Sequence, residues 1–367
     1  MKVLIMNPIL YTSETDKIPR VTSIKDTMIY ALCMGFVKNG DEPVLAAAEP
    51  YKPTGGEEYP FRVLWFPCAC TSIWKPRCFP LLKGLGRYLA GHQKEYDYII
   101  SSEVFSMLTL SGAIHARKKL IIWHELGAHN NLLKKIPSKC WYNIAARIFM
   151  RNIPVVPRSD KAAEFIGQFC GRVLPLRIDH GVDLEKISCS QEKEKYFVVL
   201  SQLIERKHID GIISSFNHFQ KTKAGEDWEL KIIGDGNQRE NLQQQVKSLG
   251  LLSKVQFYGK LSHEKLMPIL AKASALLVNT GKDNSMVSIV ESIAAGTPIL
   301  TTSVPFNSAY IKSEKLGIVK DGWNEKELEE ICRKNEMYVI NCIRYREKLS
   351  NEYLAGQFNE VGGRFGK

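Results

Sequence analysis

The sequence contains no run of eighteen uninterrupted apolar residues, so it offers no candidate for a membrane-spanning helix. Its opening, Met1 to Ile9, has neither the length nor the small-residue cleavage site of a secretory signal, and a cytoplasmic location is the expectation. Low-complexity tracts are missing as well, which excludes a disordered or fibrous chain. No Asp-x-Asp pair of the kind that holds a divalent cation occurs. Cysteine is present but unpatterned: nine residues, an odd number, scattered from Cys33 to Cys342, read as reduced thiols and not as a disulfide framework. Cys68, Cys70 and Cys78 do not follow a standard zinc spacing and read as buried or incidental thiols.

Acidic residues are scarce in one region. Between positions 61 and 158 the chain carries 15 Lys and Arg against 4 Asp and Glu, a surplus equal to the +11 of the whole protein. Such asymmetry points to an anionic partner for the first half: a membrane surface, a phosphorylated acceptor or nucleic acid. Between Arg62 and Arg87, cations alternate with Trp65, Phe66, Trp74 and Phe79. Rings beside cations suit the headgroup boundary of an anionic membrane, although the same pattern arises when the aromatics are core and the cations a solvated face.

What is present has the grammar of an α/β protein. At 367 residues, two domains are the natural expectation. Lys2 to Ile9 reads as a buried strand, the segment from Thr22 to Asn39-Gly40 as a helix with its C-cap, and Pro43 to Ala48 as the next strand. Further strands fit 62–66, 98–101, 120–123 and 153–157. The pattern restarts after the polar stretch Asp179 to Lys195, which reads as a linker region. Strands are expected at 196–200, 229–234, 255–258, 275–279 and 298–301, and helices at 210–220, 237–249, 264–271 and 287–295. The predicted fold class is α/β, two Rossmann-like doubly wound domains facing a central cleft. The expected divisions are 1–180, 181–345 and a tail, 346–367, that returns to the first domain.

Asp283 to Pro298 follows a strand and enters a helix. Asp283 then lies in a loop at the carboxyl end of the sheet, where ligands of doubly wound folds bind. Around Ser285, Met286 and Val287 the helix start presents free N–H groups and a positive dipole end, which suits a diphosphate. Glu291, one turn in, is placed to accept hydrogen bonds from vicinal ribose hydroxyls. Two carboxylates at this spacing also fit a loop turn and a dipole partner, so they do not decide the matter alone.

Asp283-x7-Glu291 followed by Ser-Ile-Ala-Ala-Gly-Thr-Pro298 resembles the Glu-x7-Glu signature of glycosyltransferase family 4, retaining enzymes of the GT-B fold, here of the bacterial cell-surface polysaccharide type. Four segments agree in order: His180-Gly-Val-Asp183, Leu200 to Lys207, Ile233-Gly-Asp-Gly236 and Val255 to Ser262. The resemblance implies that Glu291 holds the ribose, Asp283 contacts the donor sugar and Lys207 neutralises the departing diphosphate. Gly234 ends the second strand beside the donor. Gln202 stands where the family has arginine, and Arg206 is the neighbouring cation that can substitute. Asn284-Ser285-Met286 replaces the family's Gly-Phe-Gly and reshapes the sugar pocket.

The first half resembles the family more loosely. Its loop from Asn7 to Arg20 lacks the paired glycines often found there. His124, at the end of an apolar strand, takes the place of the histidine that faces the donor, and Glu103 ends another strand.

The implied activity is transfer of a hexosyl-type sugar from a UDP- or GDP-sugar to a glycan or lipid-diphosphate-linked acceptor, without cofactor or metal. The resemblance further implies a role in surface polysaccharide assembly, and the rings and cations between Arg62 and Arg87 are expected to dock the first domain peripherally on the inner face of the plasma membrane. Two alternatives stay open: a GT-B sugar-nucleotide epimerase and a non-catalytic binding protein. Nucleic acid is not an expected partner, because it explains the charge but not the donor motifs.

Overall fold

Strands rich in Val, Ile and Leu without polar alternation bury both faces, and such strands assemble into parallel sheets covered by helices. The computed structural model, which describes residues 1–8, 23–25, 27–72, 79–130 and 132–365, shows two of them. The chain divides into one unit of Met1–Gly181 with Ser350–Lys367 and a second of Val182–Leu349.

In the first unit the strands are β1 (Lys2–Met6), β2 (Glu42–Ala48), β3 (Arg62–Phe66), a two-stranded hairpin of β4 (Cys68–Ala69) and β5 (Leu81–Leu82), β6 (Tyr98–Ser102), β7 (Leu120–His124) and β8 (Val155–Pro157). The main sheet is parallel, in the order β3-β2-β1-β6-β7-β8. Its centre is fully buried: Val3, Leu4, Ile5, Ile99, Ile100 and Ile122 have no exposed surface. The last helix, Asn351–Phe365, packs on the helix Met28–Lys38. The approach is close enough that a Cβ on Gly35 would lie 2.2 Å from the Asn351 carbonyl oxygen. Only glycine permits that contact.

The second unit repeats the plan with β9 (Glu194–Leu200), β10 (Glu229–Ile233), β11 (Val255–Gly259), β12 (Ala273–Leu277), β13 (Ile299–Thr301) and β14 (Gly317–Val319). The order is β11-β10-β9-β12-β13-β14, again parallel. Counted within its own sheet, each unit has the 3-2-1-4-5-6 order of doubly wound folds, whose switch point lies between the first and fourth strands. In the second unit those strands are β9 and β12.

Three expectations change. The first helix begins at Met28 and not near Thr22, because the Thr27 hydroxyl caps it by accepting from the Tyr30 amide at 3.3 Å. The stretch Asp179 to Lys195 is not a loose linker, since Val182 and Ile187 enter the second core and Lys193 Nζ donates to the Ala271 carbonyl at 2.6 Å. Third, Phe66, Phe79 and Tyr88 pack against other rings of the first unit. Phe66 packs edge-on against Tyr88, and Phe79, 8% exposed, packs on Phe105 and Trp141. Trp74 and Cys78 lie outside the described residues, as does most of the Asn7 to Arg20 loop.

Candidate active site

The β9 strand ends at Leu200, and the chain turns through Ser201 and Gln202 into a short 3-10 turn, Glu205–Lys207. The path of that loop is set by backbone packing. The Ser201 amide donates to the Ile233 carbonyl (3.1 Å), Leu203 N–H to Asp235 O (3.0 Å) and Gln238 N–H to Leu203 O (2.9 Å). Gly234 makes this possible: at φ +135° it has no Cβ, and one would lie 1.8 Å from the Ser201 carbonyl oxygen. Its part is therefore to hold the loop. Gln202 is exposed.

Across the switch point, β12 runs out through Asn279 and Thr280 to Asp283. Asp283 and the 3-10 turn meet, although 76 positions separate Lys207 from Asp283. Lys207 Nζ donates to Asp283 Oδ2 at 2.6 Å, Arg206 Nη1 to Oδ1 at 2.9 Å, and the Thr280 hydroxyl to Oδ2 at 2.5 Å. Arg206 is anchored as well to the Lys282 carbonyl at 2.6 Å. Lys207 and Asp283 are largely buried, with 10% and 14% of their side chains exposed. Desolvation alone would raise the Asp283 carboxyl. The bonds from Lys207, Thr280 and Arg206 outweigh it and hold the group below the usual carboxylate range, so it is ionised at neutral pH. A narrow cavity lined by Ser201, Lys207, Thr280 and Met286 opens beside the cluster.

The helix Val287–Ala294 follows Asp283 directly. Its N-cap residue, Met286, has no capping side chain, and the cap comes from far along the sequence: buried Asn307 accepts the Met286 amide through Oδ1 at 2.5 Å. Met286 itself is 8% exposed in the core. The amide of Met286 is thus engaged, and those of Val287 and Ser288 are the first-turn amides that helix geometry leaves without intrahelical acceptors. Ser285, one residue before the cap, is half-buried. Glu291, on the next turn, lies 3.4 Å from His263 Nε2, at the start of the helix His263–Lys272. Neither His263, Thr280 nor Asn307 stands out in the sequence. Each is an ordinary polar residue whose partner is supplied by the fold.

In the first unit, His124 ends β7 with no exposed surface. Its Nδ1 lies 2.9 Å from Glu103 Oε2 without the alignment of a hydrogen bond, and its Nε2 has no hydrogen-bond partner among the described residues. Tyr142 and Phe165 rings flank it. Glu103, in left-handed backbone at φ +68°, accepts the Glu125 amide at 2.7 Å. Burial would raise its carboxyl, but His124, Arg158 and that amide together hold it below the ordinary value. Arg158 bonds Glu125 at 2.9 Å and lies 3.7 Å from the centre of the Trp123 ring. His124 and Glu103 are thus neighbours in a buried polar cluster of the first unit, while Asp283, Lys207 and Arg206 meet in the second, and Glu291 lies on the helix that follows, paired with His263. Among the described residues no group of three or more His, Cys, Asp or Glu is placed to hold a metal ion.

Two doubly wound parallel sheets, one in each unit, are the two-domain α/β architecture of the GT-B fold. The comparisons with known proteins agree. Residues 183–336 match the family model described as glycosyl transferases group 1. An uncharacterized glycosyltransferase of Methanocaldococcus jannaschii is 27% identical over 128 residues, 35% of this chain and 32% of the relative. The GalNAc-alpha-(1->4)-GalNAc-alpha-(1->3)-diNAcBac-PP-undecaprenol alpha-1,4-N-acetyl-D-galactosaminyltransferase of Campylobacter jejuni is 29% identical over 206 residues, 55% of this chain and 54% of the relative. The chain thus spans about a third and about half of these curated relatives. Among solved structures, HepE of Anabaena in complex with UDP is similar in fold, with a TM-score of 0.65 at 14% identity, covering 99% of this chain and 100% of that one.

Proposed function

We infer that the protein is a retaining glycosyltransferase that moves a hexosyl-type sugar from a UDP- or GDP-sugar to a glycan or lipid-diphosphate-linked acceptor. The observation that carries this reading is the convergence of Lys207 and Arg206 on Asp283, beside an open helix start and Glu291. In transfer, the bond between the sugar anomeric carbon and the diphosphate oxygen breaks, a bond to the acceptor oxygen forms on the same face, and the acceptor's hydroxyl proton passes to the released diphosphate. Charge grows on the departing diphosphate. An ammonium has three donors, and the bond to Asp283 takes one of those on Lys207, so the same group can hold Asp283 and meet a phosphate oxygen. The amides of Val287 and Ser288 add the dipole of a helix start. UDP in the similar HepE structure supports a uridine donor, and the PP-undecaprenol in the name of the Campylobacter relative supports a lipid-linked acceptor.

A thermal-shift panel of UDP-, GDP-, ADP- and dTDP-sugars tests the donor. A ligand at about a hundred times its dissociation constant stabilises by roughly 2.7 kcal/mol, enough to read as a shift of several degrees. Glu291→Ala is expected to remove the shift while leaving the unliganded melt nearly unchanged. A full shift in that variant would refute the ribose assignment.

Metal independence is part of the same proposal, because Lys207, Arg206 and the helix start supply the positive charge that a divalent cation supplies elsewhere. Transfer measured in excess EDTA is expected to match that in added magnesium or manganese. Strict dependence on either cation would overturn it. A peripheral membrane location fits a lipid-linked acceptor, and no helix among the described residues is long and apolar enough to cross a bilayer.

A further inference from the structure

Phe66, Phe79 and Tyr88 pack against other rings, and a second face of the first unit has the features of a membrane-binding surface. The helix Ile136–Cys140 continues into Trp141–Met150, which is wound as a π-helix. Positions four apart form two stripes. Ser138, Tyr142, Ala146 and Met150 are buried. Ile136, Cys140, Ile144 and Ile148 face outward, the isoleucines 61%, 59% and 63% exposed. Phe149 extends the patch toward Ile114, 53% exposed, and its carbonyl accepts from Arg117 Nη1 at 3.0 Å. An isolated exposed isoleucine is unremarkable, but a set on one helix is not.

The charge along this segment has one sign. From 126 to 159 the sequence contains no Asp or Glu. Lys134, Lys135, Lys139, Arg147 and Arg151 are all exposed and flank the isoleucines. Aliphatic side chains bordered by cations match a bilayer surface, where the apolar groups reach the acyl boundary and the cations meet anionic headgroups. A single-stranded nucleic acid is the poorer match, because its bases stack on flat aromatic rings and this stripe is aliphatic. We propose that the face built on 136–151 is the site at which this protein docks on anionic lipid. The proposal deepens the membrane part of the functional reading above and is independent of the transfer chemistry.

Vesicle flotation of the full chain, with no donor or acceptor present, tests it. Phosphatidylcholine vesicles with and without phosphatidylglycerol are the probes. Strong recovery is expected only with the anionic vesicles, falling as salt rises. Ile144→Ser/Ile148→Ser and Lys135→Glu/Lys139→Glu are each expected to lower partitioning about tenfold or more. All four side chains are exposed, so the melting temperature should not change. Lys83→Glu/Arg87→Glu, on the packed segment, should bind as the unmodified chain does. Equal recovery with neutral vesicles, undiminished binding of both double variants, or displacement by RNA at equal phosphate concentration would each overturn the proposal. Loss of sugar transfer to a soluble acceptor with vesicle binding intact would count against the catalytic reading alone.

Discussion

Replacing Lys207 by alanine is expected to lower kcat/KM for sugar transfer about a hundred- to a thousand-fold, with most of the loss in kcat. The Lys207 side chain is 10% exposed, and among the described residues its ammonium makes one hydrogen bond, to Asp283 Oδ2 at 2.6 Å. Donor binding in the ground state also draws on Glu291 and the helix start, which the substitution leaves alone. Charge that develops as the diphosphate leaves is what the ammonium answers, and an interaction strengthened only in the transition state appears in kcat. Arg206→Ala should cost less, because the arginine side chain is 37% exposed and water replaces part of its field.

Stability separates this from a trivial loss of structure. Removing one partner of a buried ion pair typically costs roughly 3–5 kcal/mol, but Asp283 keeps Arg206 and Thr280, so the loss in Lys207→Ala should fall below that range. A variant that melts within a few degrees of the unmodified protein yet turns over at the same kcat would remove Lys207 from the mechanism.

The alternation of strand and helix was open to reading because each buried strand is a short Val, Ile and Leu run and each helix has its own period. Element edges shift where a cap decides them, as when Thr27 moves the helix start from Thr22 to Met28. The site was legible where its chemistry is local: Asp283, the helix start and Glu291 share one strand-loop-helix segment. What joins that segment to the rest was not. The Lys207–Asp283 bond, the His263–Glu291 contact and the Asn307 cap all link residues brought together by parallel strand order, which no local pattern encodes. The same limit explains the aromatics between Arg62 and Arg87. Interleaved rings and cations look alike whether the rings face solvent or core, and Phe79 faces Phe105 and Trp141. On 136–150 the period of four is plain in the sequence, but only the sheet beneath it determines which stripe is inside.

Gly234→Ala is expected to be the most destabilising single methyl that can be added to the second unit's site, at about 3 kcal/mol or more. Two costs coincide there. The backbone is at φ +135°, which L-residues rarely adopt, and the new Cβ would lie 1.8 Å from the Ser201 carbonyl oxygen. The obstacle is backbone, so no side chain can swing away. Two other glycines separate the terms. Gly250 ends the helix Arg239–Ser248 at φ +71° with nothing within 4 Å of a Cβ, so Gly250→Ala carries only the dihedral cost, about 1–2 kcal/mol. Gly236 is not in left-handed backbone, yet its Cβ would lie 2.3 Å from the Leu203 carbonyl oxygen, so Gly236→Ala carries only the clash. Urea unfolding of the three variants should rank Gly234→Ala well above the other two. Because the Ser201–Lys207 loop rests on Gly234 and Gly236, both substitutions should also weaken the donor-induced thermal shift, whereas Gly250→Ala should retain it. Equal destabilisation by Gly234→Ala and Gly250→Ala would mean that the loop moves aside freely, and the loop would then not be what fixes Lys207 against Asp283.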